Sequence, residues 1–257
     1  MYIYRCEDSL ESIFTAIYNV YEDKHSKAEV LLTLNDELRL FAVHTIVEPN
    51  RIKYEKVIRT IKQRFGEADY RSLCLVLASP DEEKAQAVYG TVAQGLACNC
   101  KWGHLFDNLA DENVNKAFKL ARNADREYCH LRGFSRFEEL ENGLLYSRIE
   151  PKNNVLAFLM AHFADRFPEE HFILHDVGRN LYGMHRAENA ENGNSGWYLL
   201  KGDDLSSEYL QISSDEIRYR ELFKCFCRTI TIDSRRNAPL QRNMLPLHFR
   251  EFMTEFQ

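Results

Sequence analysis

An α+β fold follows from three observations on the 257-residue chain: helical apolar periods fill its first half, two hairpin patterns occupy its middle, and helical periods return at its end. The expected architecture is a mostly helical N-terminal half, then antiparallel β-hairpins, then C-terminal helices. No alternating β–α run calls for a parallel sheet.

The elements follow in order. Tyr2–Arg5 reads as a short strand. Asp8 with Glu11 three residues on resembles a capping box, and Leu10, Ile13, Phe14, Ile17, Tyr18 and Tyr21 then hold one apolar helical face. Helical patterns continue over residues 51–65, 71–78, 81–96 and 112–131. At Gly133 the period changes. Segments 134–141 and 144–150 flank Asn142-Gly143, the dipeptide of a type I′ hairpin. Helical spacing resumes over 155–167, between Pro151 and Pro168. A second hairpin is expected from 171–176 and 181–185, followed by a polar loop at 187–196 and a strand at 197–200. Helices over 215–230 and 246–256 close the chain.

The six prolines and eleven glycines are scattered, so no linker separates modules and one compact unit over 1–257 is expected. Its longest apolar stretches, at 73–78 and 155–160, fall short of the roughly 20 residues that a membrane span needs. The opening residues lack the apolar segment of a secretory signal, which points to the cytoplasm and away from membranes. Seven cysteines, an odd number, suit free thiols in a reducing compartment. Cys225 and Cys227 lie two apart in a helical pattern and point away from each other, so no metal centre is expected there or at Cys98 and Cys100. No glycine loop that would cradle phosphates is present, and no cofactor is expected.

The net charge of −6 argues against a generic nucleic-acid coat but hides an asymmetry. Residues 216–250 hold eight basic side chains against three acids, a local balance of +5. On the 215–230 helix, Tyr219, Leu222, Phe223, Phe226 and Ile230 form a stripe expected to face the core, with Arg220, Lys224 and Arg228 on the outer side. Behind it Arg235, Arg236, Gln241 and Arg242 can contact phosphates or bases. Earlier in the chain, Arg136 falls on an apolar hairpin face with Glu138 as its neutralising neighbour, and His162 lies at the edge of the 155–167 helix stripe. Asp176 ends a strand directly before Arg179 in a turn, a place for either a turn cap or a functional group. Alternation turns His175 and Asp176 to opposite faces.

The segments RGFSRFEELENGLLYSRIEP, HFADRFP, HDVGRNLYG and RRNAPLQRNMLP, with the opening YIYRCEDSLESIFTAIYNVY, resemble a bacterial family of DNA metabolism or DNA repair proteins containing a domain of unknown function. The resemblance spans essentially the whole chain, with 1–80 as an N-terminal elaboration on a family core domain at 81–257. It implies a neighbouring radical S-adenosylmethionine protein as partner. Some longer relatives carry a fused uracil-DNA glycosylase domain, an activity not expected of these residues. The family-like positions are Arg132, Arg136, His162, Arg166, Asp176, Arg179, Arg235, Gln241 and Arg242. The expectation is a DNA repair or modification protein that works with the radical enzyme and binds DNA through Arg132, Arg166 and the basic C-terminal segment. Any chemistry of its own would use Asp176 and His162 as acid and base, with Arg136 and Arg179 stabilising negative charge. Two alternatives are a non-catalytic adaptor docking on the radical enzyme and an independent hydrolase or glycosylase acting on modified DNA.

Overall fold

The structure, a computed structural model, describes residues 1–36, 39–187, 196–202 and 211–256 and divides into two compact units. The polar loop expected at 187–196 lies, from 188 to 195, outside the described residues. The first unit comprises Met1–Arg126 with Lys152–Asn154, and the second Glu127–Pro151 with Val155–Gln257.

In the first unit, β1 (Tyr2–Arg5) leads into α1 (Leu10–Glu22), then β2 (Val30–Thr33), β3 (Val43–Ile46), α2 (Arg51–Phe65), α3 (Glu67–Leu77) and α4 (Lys84–Ala97). α5 (Glu112–Phe134) follows, and the division between units falls within its span. β1 pairs in parallel with both β2 and β3. This corrects the expectation that no parallel sheet is present. β2 reads Val-Leu-Leu-Thr without polar alternation and all four residues of β3 are exposed, so neither left a period to read, yet β1–α1–β2 is a crossover of the kind that a parallel pair requires. The apolar stripe of α1 behaves as expected: Ile13, Phe14, Ile17 and Val20 are buried. Its cap is Ser9, whose Oγ accepts the Ser12 N–H at 3.1 Å. Asp8 is drawn instead to the Lys84 ammonium, 2.6 Å away, because that buried cation needs a counter-charge.

The second unit holds a five-stranded sheet in the order β4-β5-β6-β7-β8. Its strands are β4 (Glu138–Glu139), β5 (Leu145–Ile149), β6 (Phe172–Asp176), β7 (Leu181–His185) and β8 (Trp197–Lys201). β5 and β6 are parallel, joined through α6 (Leu156–Arg166), and the other pairs are antiparallel. The first hairpin is smaller than expected because α5 runs on to Phe134 and leaves only Glu138 and Glu139 to pair. Of Asn142 and Gly143 only Gly143 takes positive φ, so the turn is not type I′, and Asn142 instead accepts the Leu144 N–H. The second hairpin and the final strand lie where the sequence places them.

Register puts Phe172, Leu174 and Asp176 on the sheet face that also carries Gly183, while Tyr146, Ile173, His175 and Tyr182 share the opposite face. The buried side of α6, with Leu156, Leu159, Met160 and Phe163, packs toward β6 and β7. Gly183 allows that approach, since a Cβ there would lie 2.3 Å from Met160 Sδ. Gly183→Ala is expected to cost about 1–3 kcal/mol by overpacking. A lowered urea midpoint would register this, and an unchanged one would mean that Met160 yields freely.

The described chain ends with α7 (Ser214–Thr229), a 3-10 turn at Asp233–Arg235, α8 (Ala238–Met244) and two further 3-10 turns, Leu247–Phe252 and Thr254–Phe256. The expected 246–256 helix is broken because Met253 is extended (φ −102°, ψ 121°). α8 is not among the helices expected from the sequence. Asn237 caps it by accepting the Leu240 N–H at 3.0 Å, and proline sits in its first turn, where no donor is lost.

Candidate nucleic-acid interface

α7 is laid down on the edge of the second sheet by its N-terminal approach. Leu140 bridges to Ile212, Ser213 donates its N–H to Glu139 O at 3.0 Å, and Ser213 Oγ caps the helix by accepting from Glu216 N–H. The side of α7 turned to the sheet is polar. Arg220 pairs with Glu138 of β4 and, at 3.3 Å, with Glu216 one turn back. Glu138 is 7 % exposed, and a carboxylate buried to that degree needs a cation.

This reverses the expected orientation of α7. Tyr219, Leu222, Phe223, Phe226 and Ile230, expected in the core, are all exposed, and no residue of the helix is buried. Arg220, expected on the outer side to hold phosphates, is the inward anchor. The 3.6 period correctly groups the stripe on one side of the helix, but the Glu138 charge decides which side faces in.

Turning α7 this way opens a groove between its C-terminal half and the segment that follows. Two adjoining clefts of about 490 and 960 Å³ share Thr231, Arg236, Gln241 and Phe256. Lys224 and Arg228 line the first, and Arg235 lines the second. Five of the side chains expected to bind nucleic acid therefore converge on one surface: Lys224, Arg228, Arg235, Arg236 and Gln241. Lys224, Arg228 and Arg235 form no ion pair among the described residues. The acids in the lining are engaged: Glu255 with Arg136, and Asp233 with Arg236 at 3.8 Å. Ile230, Ile232, Leu240 and Met244 give the groove an apolar floor that the charge pattern alone did not reveal.

Arg242 lies exposed on α8 outside the groove lining. Arg132 of α5 and Arg166 of α6 also lie outside it and are brought together around His162. Burial, with the charges of these two arginines, pushes the His162 imidazole below its ordinary pKa. The unfolded chain therefore binds a proton below about pH 6.5 that the folded chain resists, so this group's stabilisation is present above that pH and fades as pH falls. His162→Gln should lessen the loss of stability between about pH 7 and pH 5, read from urea unfolding at both values. Equal losses in the two proteins would contradict the sign.

The other expected chemical groups have structural partners. Arg136 does not pair with Glu138, because its strand face never forms. It grips both oxygens of Glu255, with Nη2–Oε1 at 2.6 Å and Nε–Oε2 at 3.3 Å, and also donates to Gly133 O. Asp176 is fully buried, which pushes its carboxyl up against the opposing pull of Arg179. Its Oδ1 accepts the Arg179 N–H at 3.2 Å, its Oδ2 meets the guanidinium at 3.0 Å, and Arg179 also donates to Pro151 O at 2.8 Å. His175, on the opposite face as expected, meets Tyr146 Oη at 2.8 Å and stacks on Tyr182. Asp176 feels the charges of Arg179 and Glu127, whereas His162 feels Arg132, Arg166 and Asp165. Buried Glu127 gives no signal in the sequence because it lies in a long helix with no motif around it. All seven cysteines are free, and no group of His, Cys, Asp or Glu among the described residues could hold a metal ion. Nor is any described helix long and apolar enough to cross a membrane.

A family model described as a domain of unknown function, DUF4130, matches residues 82–255. No curated protein and no solved structure matches the chain.

Proposed function

The chain belongs to the DUF4130 family, and from that premise we propose that it is a DNA-binding component of a repair or modification system. In this reading it holds DNA against the groove formed by α7 and α8, while a radical S-adenosylmethionine protein, the partner implied by the sequence resemblance, supplies the chemistry. The supporting observation is the convergence of Lys224, Arg228, Arg235, Arg236 and Gln241 on one open groove in a chain whose overall charge is −6. Cations gathered against the average charge suit a polyanion, and a floor of apolar side chains beside them suits bases or sugars.

The test is DNA binding over a salt series, comparing wild type with Arg235→Ala/Arg236→Ala/Arg242→Ala. Each side chain that holds a phosphate should, once removed, flatten the logarithmic salt slope by about one unit. Failure of the wild type to bind DNA, or a slope that the triple substitution leaves unchanged, would overturn the reading.

A further inference from the structure

The groove leaves the outer stripe of α7 without a role. Tyr219, Leu222, Phe226 and Ile230 are each more than half exposed, and Phe223 is 39 % exposed. An apolar helix face turned outward over about three turns, with its polar face turned in, marks a surface that something else covers.

Charge and ring spacing say what that is. Ile230 belongs both to the stripe and to the cleft lined by Arg235 and Arg236, so the apolar face runs directly into the cationic groove. Exposed Arg218 borders the stripe along the helix. A second copy of the chain would bring the same +5 segment to the contact and be repelled. A ligand with negative charges and apolar faces fits. Three of the stripe residues are aromatic, Tyr219, Phe223 and Phe226, separated by four and three positions, or about 6 and 4.5 Å along the axis. Those intervals exceed the roughly 3.4 Å rise between bases of one duplex strand. A duplex also hides its base faces, so exposed rings can stack only on bases that are already splayed apart.

Resting on the DNA reading of the groove, we propose that the outer face of α7 is a stacking platform for single-stranded DNA whose phosphates follow Arg218 beside the stripe and Arg235 and Arg236 beyond Ile230. Rings hold the bases and arginine holds the backbone, so the two contributions separate experimentally.

The experiment is equilibrium binding of a labelled oligothymidylate, and of a duplex of equal length, to wild type and to Tyr219→Ala/Phe226→Ala. Both substituted side chains are exposed, and circular dichroism confirms that the variant is folded. The wild type should prefer the single strand. The variant should lose about tenfold or more in single-strand affinity, with an unchanged salt slope and little change on duplex. If the wild type binds DNA but the aromatic variant binds the single strand equally well, the platform is wrong while the groove stands. Absence of binding to either DNA overturns both. Self-association of the wild type that the same substitutions abolish would assign the stripe to a second copy and likewise overturn the proposal.

Discussion

Arg220→Ala should destabilise the second unit by about 3–5 kcal/mol, the cost of leaving a buried carboxylate without its cation. The Arg220 and Glu138 side chains are only 19 % and 10 % exposed, so solvent cannot take over the role of the guanidinium. Glu216 adds a second acceptor on the same arginine, and its own carboxylate also accepts the Glu139 N–H at 3.4 Å. The loss should therefore spread to the junction between α7 and the β4 edge. Urea unfolding followed by circular dichroism reads the effect. Replacing all three partners, Arg220→Met with Glu138→Gln and Glu216→Gln, should recover much of the stability because no unpaired charge remains. A single substitution that costs less than about 1 kcal/mol would place this pair among ordinary surface ion pairs and remove the reason for the orientation of α7.

Lys224→Glu with Arg228→Glu should do the opposite, lowering DNA affinity at low salt by about tenfold per residue while stability stays within about 0.5 kcal/mol. Lys224 lies one turn beyond Arg220 on the same helix, yet it lines the groove and forms no ion pair among the described residues. Charge reversal takes two cations from the phosphates and adds repulsion, so the salt slope should fall by about two units. The comparison with Arg220→Ala is the informative one, because two basic residues four positions apart are assigned to different tasks. Equal losses of affinity from Arg220→Ala and from the double reversal, at equal stability, would show that this face of the helix is not divided into an anchored and a groove-lining stretch.

Much of this fold is legible in the sequence. Periodicity locates α1, α2, α4, α5, α6 and α7 within a few residues, and the 171–185 hairpin with its Asp176-Arg179 turn follows from alternation and turn residues. The parallel pairings are not legible. β5 and β6 are neighbours only because α6 carries the chain back across the sheet, and β2 and β3 lack the alternation that would announce them. The α7 stripe shows the sharper limit. A helical period tells which residues share a face, but not whether that face turns inward, because the deciding charge, Glu138, stands 82 positions before Arg220 in the chain. Arg136 teaches the same lesson from the other side. Its partner Glu255 is 119 residues away, so local spacing suggests Glu138 instead.

The site is legible as a set of charges rather than as a surface. Lys224, Arg228, Arg235, Arg236 and Gln241 stand out by local charge balance, whereas Arg220, with the same composition around it, is taken up by the fold. Sorting one from the other requires knowing which cations the buried acids have claimed.

Whether DNA lies against the groove of α7 and α8 is read most directly by photocrosslinking. DNA carrying 5-bromouracil would be irradiated in complex with the wild type, and the linked peptides identified by mass spectrometry. Crosslinks are predicted within residues 219–244, on Tyr219, Phe223 or Phe226 of the stripe and on Met244 in the groove. Crosslinks confined to the first unit, with none in this segment, would contradict DNA binding at the groove.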